Sequence, residues 1–309
     1  MPKLKEDFSF CITKNCNMKC GFCIWDNFER SKVWVDPAFF KECILKMKAE
    51  SYEFCGLVGG EVALHPQFRE LCDILVANKM KFTFVTNAKQ WELYKFLFEE
   101  DPYRKWLSSC AVSLDGKEET HDKERGEGSY KKVIEFLEYT KEKIDVTIKM
   151  CVRNDNYQDM EHIVDIGEKY GREVELFGVT VSQKYLFNNE DLQKISKILE
   201  GMMDKLKRND IRPCLWLVQE NALFCGALGS RELNIYPDGT IGFCCAGLTD
   251  GNYPFANIKN ESVKDILKKK SAIALKIINA THEDMTLQKP ITIRDKCSLC
   301  RKVLGCLED

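Results

Sequence analysis

No stretch of this sequence is both apolar enough and long enough to cross a membrane. Its first residues, MPKLKEDFSFCITKNC, hold no apolar segment of signal-peptide length. Charge of one sign is also missing. The 46 Lys and Arg nearly balance the 48 Asp and Glu, for a net charge of −2, so nothing general draws the chain to nucleic acid or an anionic membrane. Internal repeats and low-complexity linkers are absent as well. These absences lead us to expect a cytoplasmic globular protein with no nucleic-acid or membrane partner. Its 309 residues allow one large domain, or a large domain with a small one.

Cysteine, by contrast, is in excess. Sixteen is many for a chain with no export signal, and metal binding or redox chemistry explains them better than disulfides. Three crowd into residues 16–23 and six fall in residues 225–306. The other seven are Cys11, Cys43, Cys55, Cys72, Cys110, Cys151 and Cys214. They sit mostly on apolar positions and read as small core residues.

Strand-like and helix-like segments alternate from DFSFCIT to NEDLQKISKILEGMMDKLKR, six units in all. Asp36 reads as an N-cap and Pro37 as a first-turn residue. AKQWELYKFLFEE and the last segment each read as a single helix. Such alternation means a parallel sheet with helices outside, either open or curled into a barrel. The pattern stops near Pro213. There RELNIYPDGTIGFCC reads as a hairpin turning on Asp-Gly, before a lysine-rich helix and a cysteine-rich tail. We therefore expect an α/β core over residues 1–212 and a small metal domain over 213–309. His121 and His162 lie in charged stretches and read as surface residues.

The first cysteine group is Cys16, Cys20 and Cys23, spaced C-x3-C-x2-C after the first strand. Three thiolates on one loop can hold three irons of a four-iron cluster and leave the fourth iron open. A structural zinc would need a fourth ligand nearby, and the nearest histidine in sequence is His65. This loop resembles that of the radical S-adenosylmethionine (radical SAM) enzymes, with Phe22 as the aromatic before the last cysteine. The resemblance continues in VGGEVALHP, in VTNA and in VSLDGKEETHDKERGEGSYKKV, with Val62 departing from the commoner proline. It implies a partial (β/α)6 barrel, a [4Fe–4S] cluster on the three cysteines, and S-adenosylmethionine as cofactor. It further implies that Gly59, Gly60 and Glu61 contact the methionine amine and that Asn87 faces the cofactor. Ser113 and Asp115 would sit by the ribose or the substrate, and Arg125 would reach the methionine carboxylate.

Downstream, Cys225 and Cys244 frame a C-x13-G-x4-C pattern, and Cys297, Cys300 and Cys306 follow as C-x2-C-x5-C. These resemble the start of the SPASM auxiliary-cluster domain of radical SAM peptide maturases, in its shortened Twitch form. The likeness implies an auxiliary [4Fe–4S] cluster on Cys225, Cys244, Cys297 and Cys300. Cys306 would replace one of these or belong to a second, incomplete cluster. A zinc ribbon is the alternative for these residues.

Cys245 directly follows Cys244. Neighbouring side chains of an extended chain face opposite ways, so Cys245 is either a buried thiol beside the cluster or a thiol facing the substrate. The resemblance is greatest to radical SAM peptide epimerases. In these, a 5′-deoxyadenosyl radical takes a Cα hydrogen and a cysteine returns one to the other face. The expected function is L-to-D epimerisation of a ribosomal peptide, with Cys245 as donor. The alternative is oxidative maturation, giving a cross-link or a dehydrogenated alcohol. The expected partners are a peptide and a flavodoxin- or ferredoxin-like electron donor; a leader peptide would bind either a separate protein or the enzyme's own surface.

Overall fold

The computed structural model describes residues 8–24, 33–179, 183–208, 232–243 and 254–286. Six parallel strands form the core in chain order: β1 (Phe8–Thr13), β2 (Phe54–Gly59), β3 (Lys81–Thr86), β4 (Leu107–Ser113), β5 (Val146–Val152) and β6 (Glu173–Gly178). Their order in the sheet is also their order in the chain. Right-handed crossovers between consecutive neighbours put every connecting helix on the same face. A twisted sheet covered on one face curls round its other face, which selects the partial (β/α)6 barrel over an open doubly wound sheet.

The strands are apolar on both faces, as a covered parallel sheet requires. On β1, Phe8, Phe10 and Ile12 pack outward with Phe40, Ile44 and Met47 of α1 (Pro37–Ala49). Cys11 packs with Tyr236, on the opposite side. Asp36 caps α1, its carboxylate accepting from Phe39 N at 3.0 Å. The cysteines at 11, 43, 55, 72, 110 and 151 are all buried.

Two segments expected as single helices differ from that reading. AKQWELYKFLFEE forms a 3-10 turn (Trp91–Tyr94) running into α3 (Lys95–Glu99), which ends where the expected helix does, and α4 (Asp101–Trp106), not anticipated, follows. Pro102 lies in the first turn of α4, and at the junction Glu100 is extended, with φ −96° and ψ 127°. After β6 come α8 (Asn189–Gly201), capped by Asn188, and α9 (Met203–Arg208), separated at Met202. Between β4 and β5 lie α5 (Glu118–Arg125), which was not anticipated, and α6 (Ser129–Thr140). Helix α2 (Phe68–Ala77) leads into β3, and α7 (Met160–Tyr170) into β6.

The expected hairpin is present as β7 (Asn234–Ile235) and β8 (Thr240–Gly242), with Gly239 at φ +88° in its turn. It is not detached from the core. Strand β7 pairs in parallel with β1 through Ser9–Asn234 and Phe10–Ile235, and β9 (Pro254–Asn257) extends the sheet. The lysine-rich helix is α10 (Val263–Thr286). The boundary near residue 213, Cys214, Cys225, Cys244, Cys245, Cys297, Cys300 and Cys306 lie outside the described residues.

Candidate functional site

The loop bearing Cys16, Cys20 and Cys23 leaves the carboxyl end of β1 and is held by the end of β2. Gly60 N donates to Thr13 O and Glu61 N donates to Asn15 O, both at 2.8 Å. Approach this close needs glycine. A Cβ on Gly59 would stand 2.0 Å from Thr13 O, and one on Gly60 would stand 2.0 Å from Asn15 O. Gly59 also has φ +139°, a value that side chains disfavour. Within the loop, Cys23 N donates to Cys20 O at 3.1 Å.

Cys20 is buried, and Cys16 and Cys23 are half-buried. Burial raises the Cys16 thiol to about 11, and the neighbouring Glu61, Cys20 and Cys23 add to the rise. Burial also raises Cys20, against the pull of Arg125. Thiols like these give up their protons readily only to a metal. Among the described residues, no three Cys, His, Asp or Glu side chains converge on a single ion. Three thiols on one loop are the donor set that a four-iron cluster with one open iron takes. His65 Nε2 pairs with Val35 O at 2.9 Å and its Nδ1 accepts Gln67 N–H at 3.1 Å, so it supplies no fourth ligand.

Glu61 is the hub between β2 and β3. Its buried carboxylate accepts from Thr86 Oγ1 at 2.7 Å, from Asn87 N at 2.8 Å and from the Tyr94 hydroxyl. Burial pushes its pKa up and these donors oppose the rise. With its side chain so engaged, the segment's backbone is the part left to meet a ligand. Asn87 Nδ2 lies 3.6 Å from Cys16 Sγ and 2.9 Å from Asn17 Oδ1, tying β3 to the cysteine loop.

Asp115 is the second hub and has no exposed surface. Arg125 Nε donates to its Oδ2 at 2.5 Å and Cys151 N to its Oδ1 at 3.0 Å. Burial alone would raise this carboxyl, but Arg125, His121 and Arg153 outweigh it and hold the pKa below the ordinary carboxylate value. Ser113 is half-buried at the end of β4, two residues before Asp115. The structure therefore brings Cys16, Cys20, Cys23, Phe22, Gly59, Gly60, Glu61, Asn87, Ser113, Asp115 and Arg125 to one end of the barrel, the carboxyl ends of β1–β4. A cleft of about 830 Å³ lined by Leu97, Arg104, Leu107 and Lys143 opens at the start of β4, away from this site.

His121 is not a surface residue. It is fully buried, and its Nδ1 accepts the Asp115 N–H at 3.0 Å. His162 is half-buried and its Nε2 pairs with the Tyr130 hydroxyl at 3.0 Å. Helix α5 turns one face inward, which the surrounding charges conceal in the sequence. Burial lowers His121 from 6.5 to about 4. Between those values the unfolded chain binds a proton that the folded chain refuses, so stability falls as pH drops through that window. His121→Gln keeps an acceptor for the Asp115 N–H. It should flatten the fall by up to about 3 kcal/mol between pH 7 and pH 4 in urea unfolding. An unchanged slope would count against this account.

The sequence reading passed over several residues at the site. Arg153 follows β5. Tyr185 follows β6, and its hydroxyl donates to Glu124 Oε1 at 2.7 Å. Gly21 N donates to Glu124 Oε2 at 3.2 Å, which fastens the cysteine loop to α5. Position was the available signal, since Arg153 directly follows an apolar strand just as the recognised residues do.

Residues 10–166 match the family described as the Radical SAM superfamily. The chain belongs to this superfamily. Residues 225–302 match the SPASM family, described as an iron–sulfur cluster-binding domain. Radical SAM domains carry a [4Fe–4S] cluster and bind S-adenosylmethionine, and SPASM domains carry auxiliary iron–sulfur clusters. Cys225, Cys244, Cys245, Cys297 and Cys300 fall inside the second match, and Cys306 lies just beyond it.

The chain is 24% identical over 274 residues to AlbA of Bacillus subtilis (strain 168), described as an antilisterial bacteriocin subtilosin biosynthesis protein. The alignment covers 84% of this chain and 58% of AlbA. Streptococcus suis SuiB bound to precursor peptide SuiA superposes with a TM-score of 0.63 at 16% identity, over 84% of this chain and 64% of that one. Native anSMEcpe with bound AdoMet and Cp18Cys peptide gives 0.69 at 16% identity, over 97% and 96%. At such identities the structural likeness concerns the fold. The chain spans about half the length of the curated relatives it matches. Among the described residues, no helix of this radical SAM chain is long and apolar enough to cross a membrane.

Proposed function

We propose that this chain is a radical SAM enzyme that converts an L-residue of a ribosomally made peptide to its D-form. The observation that carries the reading is the pair Cys244–Cys245 inside the iron–sulfur-binding match. Were Cys244 to hold the auxiliary cluster, alternation along an extended chain would put Cys245 on the other face, free to serve as a donor thiol. The likeness to AlbA, a bacteriocin biosynthesis protein, and to SuiB and anSMEcpe with their bound peptides supports a peptide as substrate class.

When bound, the cluster and S-adenosylmethionine supply the radical that removes a peptide Cα hydrogen. Cys16, Cys20 and Cys23 would hold that cluster. The Gly59–Gly60 backbone would take the methionine amine, and Arg125, oriented by Asp115, would take the carboxylate. Phe22, Asn87 and Ser113 would complete the cofactor wall. Cys245 then gives its S–H hydrogen to the opposite face of the Cα radical. A flavodoxin- or ferredoxin-like donor would supply two electrons per turnover, one for reductive cleavage of S-adenosylmethionine and one that, with a proton, restores the thiol.

Cys245→Ala should leave reductive cleavage of S-adenosylmethionine intact and stop formation of the D-residue, read by chiral amino-acid analysis. D-residues from that variant would refute the role of Cys245. The iron–sulfur-binding match also supports a second reading, in which the auxiliary cluster accepts an electron and the product is a cross-link or a dehydrogenated alcohol. In that case Cys245→Ala leaves product formation unchanged.

A further inference from the structure

Arg153 is the largest side chain among those with essentially no exposed surface. Its Nε donates to Asp155 Oδ1 at 2.9 Å. Neither terminal amino group has a hydrogen-bond partner among the described residues. Nη1 stands 3.8 Å from Asp115 Oδ2, an oxygen already bound by Arg125. The guanidinium rests instead on aromatic rings. Its central carbon is 4.5 Å from the Phe22 centroid and 5.4 Å from that of Tyr185, and the two rings stand perpendicular at 89°. Arg125 approaches the same Phe22 ring at 5.5 Å. A desolvated cation on aromatic faces is held firmly, but rings do not cancel its charge.

Arg153 is short of buried charge partners. Arg125 and Arg153 both face Asp115, and a second buried carboxylate at this end, Glu61, is held by Thr86, Asn87 and Tyr94 and bears on Arg125. Asp155, the one carboxylate hydrogen-bonded to Arg153 among the described residues, is 35% exposed and Glu124 is half-buried, so water screens both. A buried cation paired directly only with a screened carboxylate is costly unless further negative charge arrives. The groups suited to supply it are on the adjacent loop. Phe22 lies between Cys20 and Cys23, and Cys20 packs in one cluster with Phe22, Cys151 and Tyr185. Thiolates holding a cluster would bring the missing charge.

We propose that Arg153 sets the reduction potential of the cluster on Cys16, Cys20 and Cys23, by pressing a desolvated positive charge against the loop through Phe22. Reduction adds one negative charge to the cluster. A nearby buried cation favours that state and raises the potential, since net charge and surrounding polarity tune such clusters. The inference rests on the assignment of the cluster to these three cysteines.

The test is an EPR-monitored redox titration of anaerobically reconstituted full-length protein. The loop cluster is identified as the signal lost from the Cys16→Ala/Cys20→Ala/Cys23→Ala triple variant. Arg153→Met should shift the one-electron equilibrium at least tenfold against reduction, a fall of about 59 mV. Arg153→Lys, which keeps the charge, should stay closer to the parent. Asp155→Asn removes a screened counter-charge and should move the potential upward. Arg153→Met with full iron content and the parent potential would overturn the proposal. Should Arg153→Met fail to load iron, Asp155→Asn decides, and an unchanged or lowered potential there overturns it equally. A parent protein without the loop signal would remove the cluster assignment itself, a distinct failure.

Discussion

Cys20→Ala is expected to reduce cleavage of S-adenosylmethionine to background, a loss of more than about a hundredfold, since losing even an outer-shell partner of a metal site costs 10–100-fold. Cys20 is the middle cysteine of the loop and the most buried of the three, packed with Met18, Phe22, Cys151, Val179 and Tyr185. Its removal leaves Cys23 and Cys16, whose thiol burial raises to about 11, as the only thiols of the loop. Cys72→Ala is the control. Cys72 is equally hidden but lies on α2 in the main core, so it should cost some stability and leave cleavage unchanged. The measurement is 5′-deoxyadenosine formed under reductant, alongside iron per chain. Comparable cleavage by Cys20→Ala and the parent would refute the assignment of the loop.

Gly60→Ala is expected to be nearly as damaging, although it removes no ligand. The added methyl would lie 2.0 Å from Asn15 O and 2.5 Å from Asn15 C. Both atoms are backbone, and neither can swing aside as a side-chain end would. Either the end of β2 or the cysteine loop must move, which breaks the Glu61 N to Asn15 O bond. Overpacking of this kind costs about 3 kcal/mol or more where backbone cannot yield, and it displaces Cys16 from its neighbours. Thermal melting and iron content should both fall. Gly201→Ala, where a Cβ meets nothing within 4 Å, should be neutral or slightly stabilising. A Gly60→Ala protein that melts and loads iron like the parent would contradict the close-approach account.

These residues differ in how readily the sequence discloses them. The parallel core was legible because its strands are apolar on both faces and its connections carry helical periodicity. The cysteine loop was legible because three thiols at that spacing have few other uses. Helix α4 was less so, because Asp101 and Pro102 lie beyond the apolar pattern of the segment before it. His121 was misread because α5 has a strongly charged sequence, and only the fold turns His121 toward Asp115. Glu61 reads as a site residue from the sequence, but its bonds to Thr86, Asn87 and Tyr94 depend on residues far away in sequence. Arg153 and Tyr185 could not be paired with Phe22 until β5 and β6 were set beside the loop. Periodicity records which face is buried, and contacts between strand ends leave no such record.

The central claim is most directly tested by mass spectrometry of candidate peptides treated in heavy water with the anaerobically reconstituted protein, reductant and S-adenosylmethionine. The account predicts a gain of about one mass unit, with one residue now in the D-form, because the returned hydrogen comes from an exchangeable thiol. A loss of about two mass units with no D-residue would contradict it and make the chemistry oxidative.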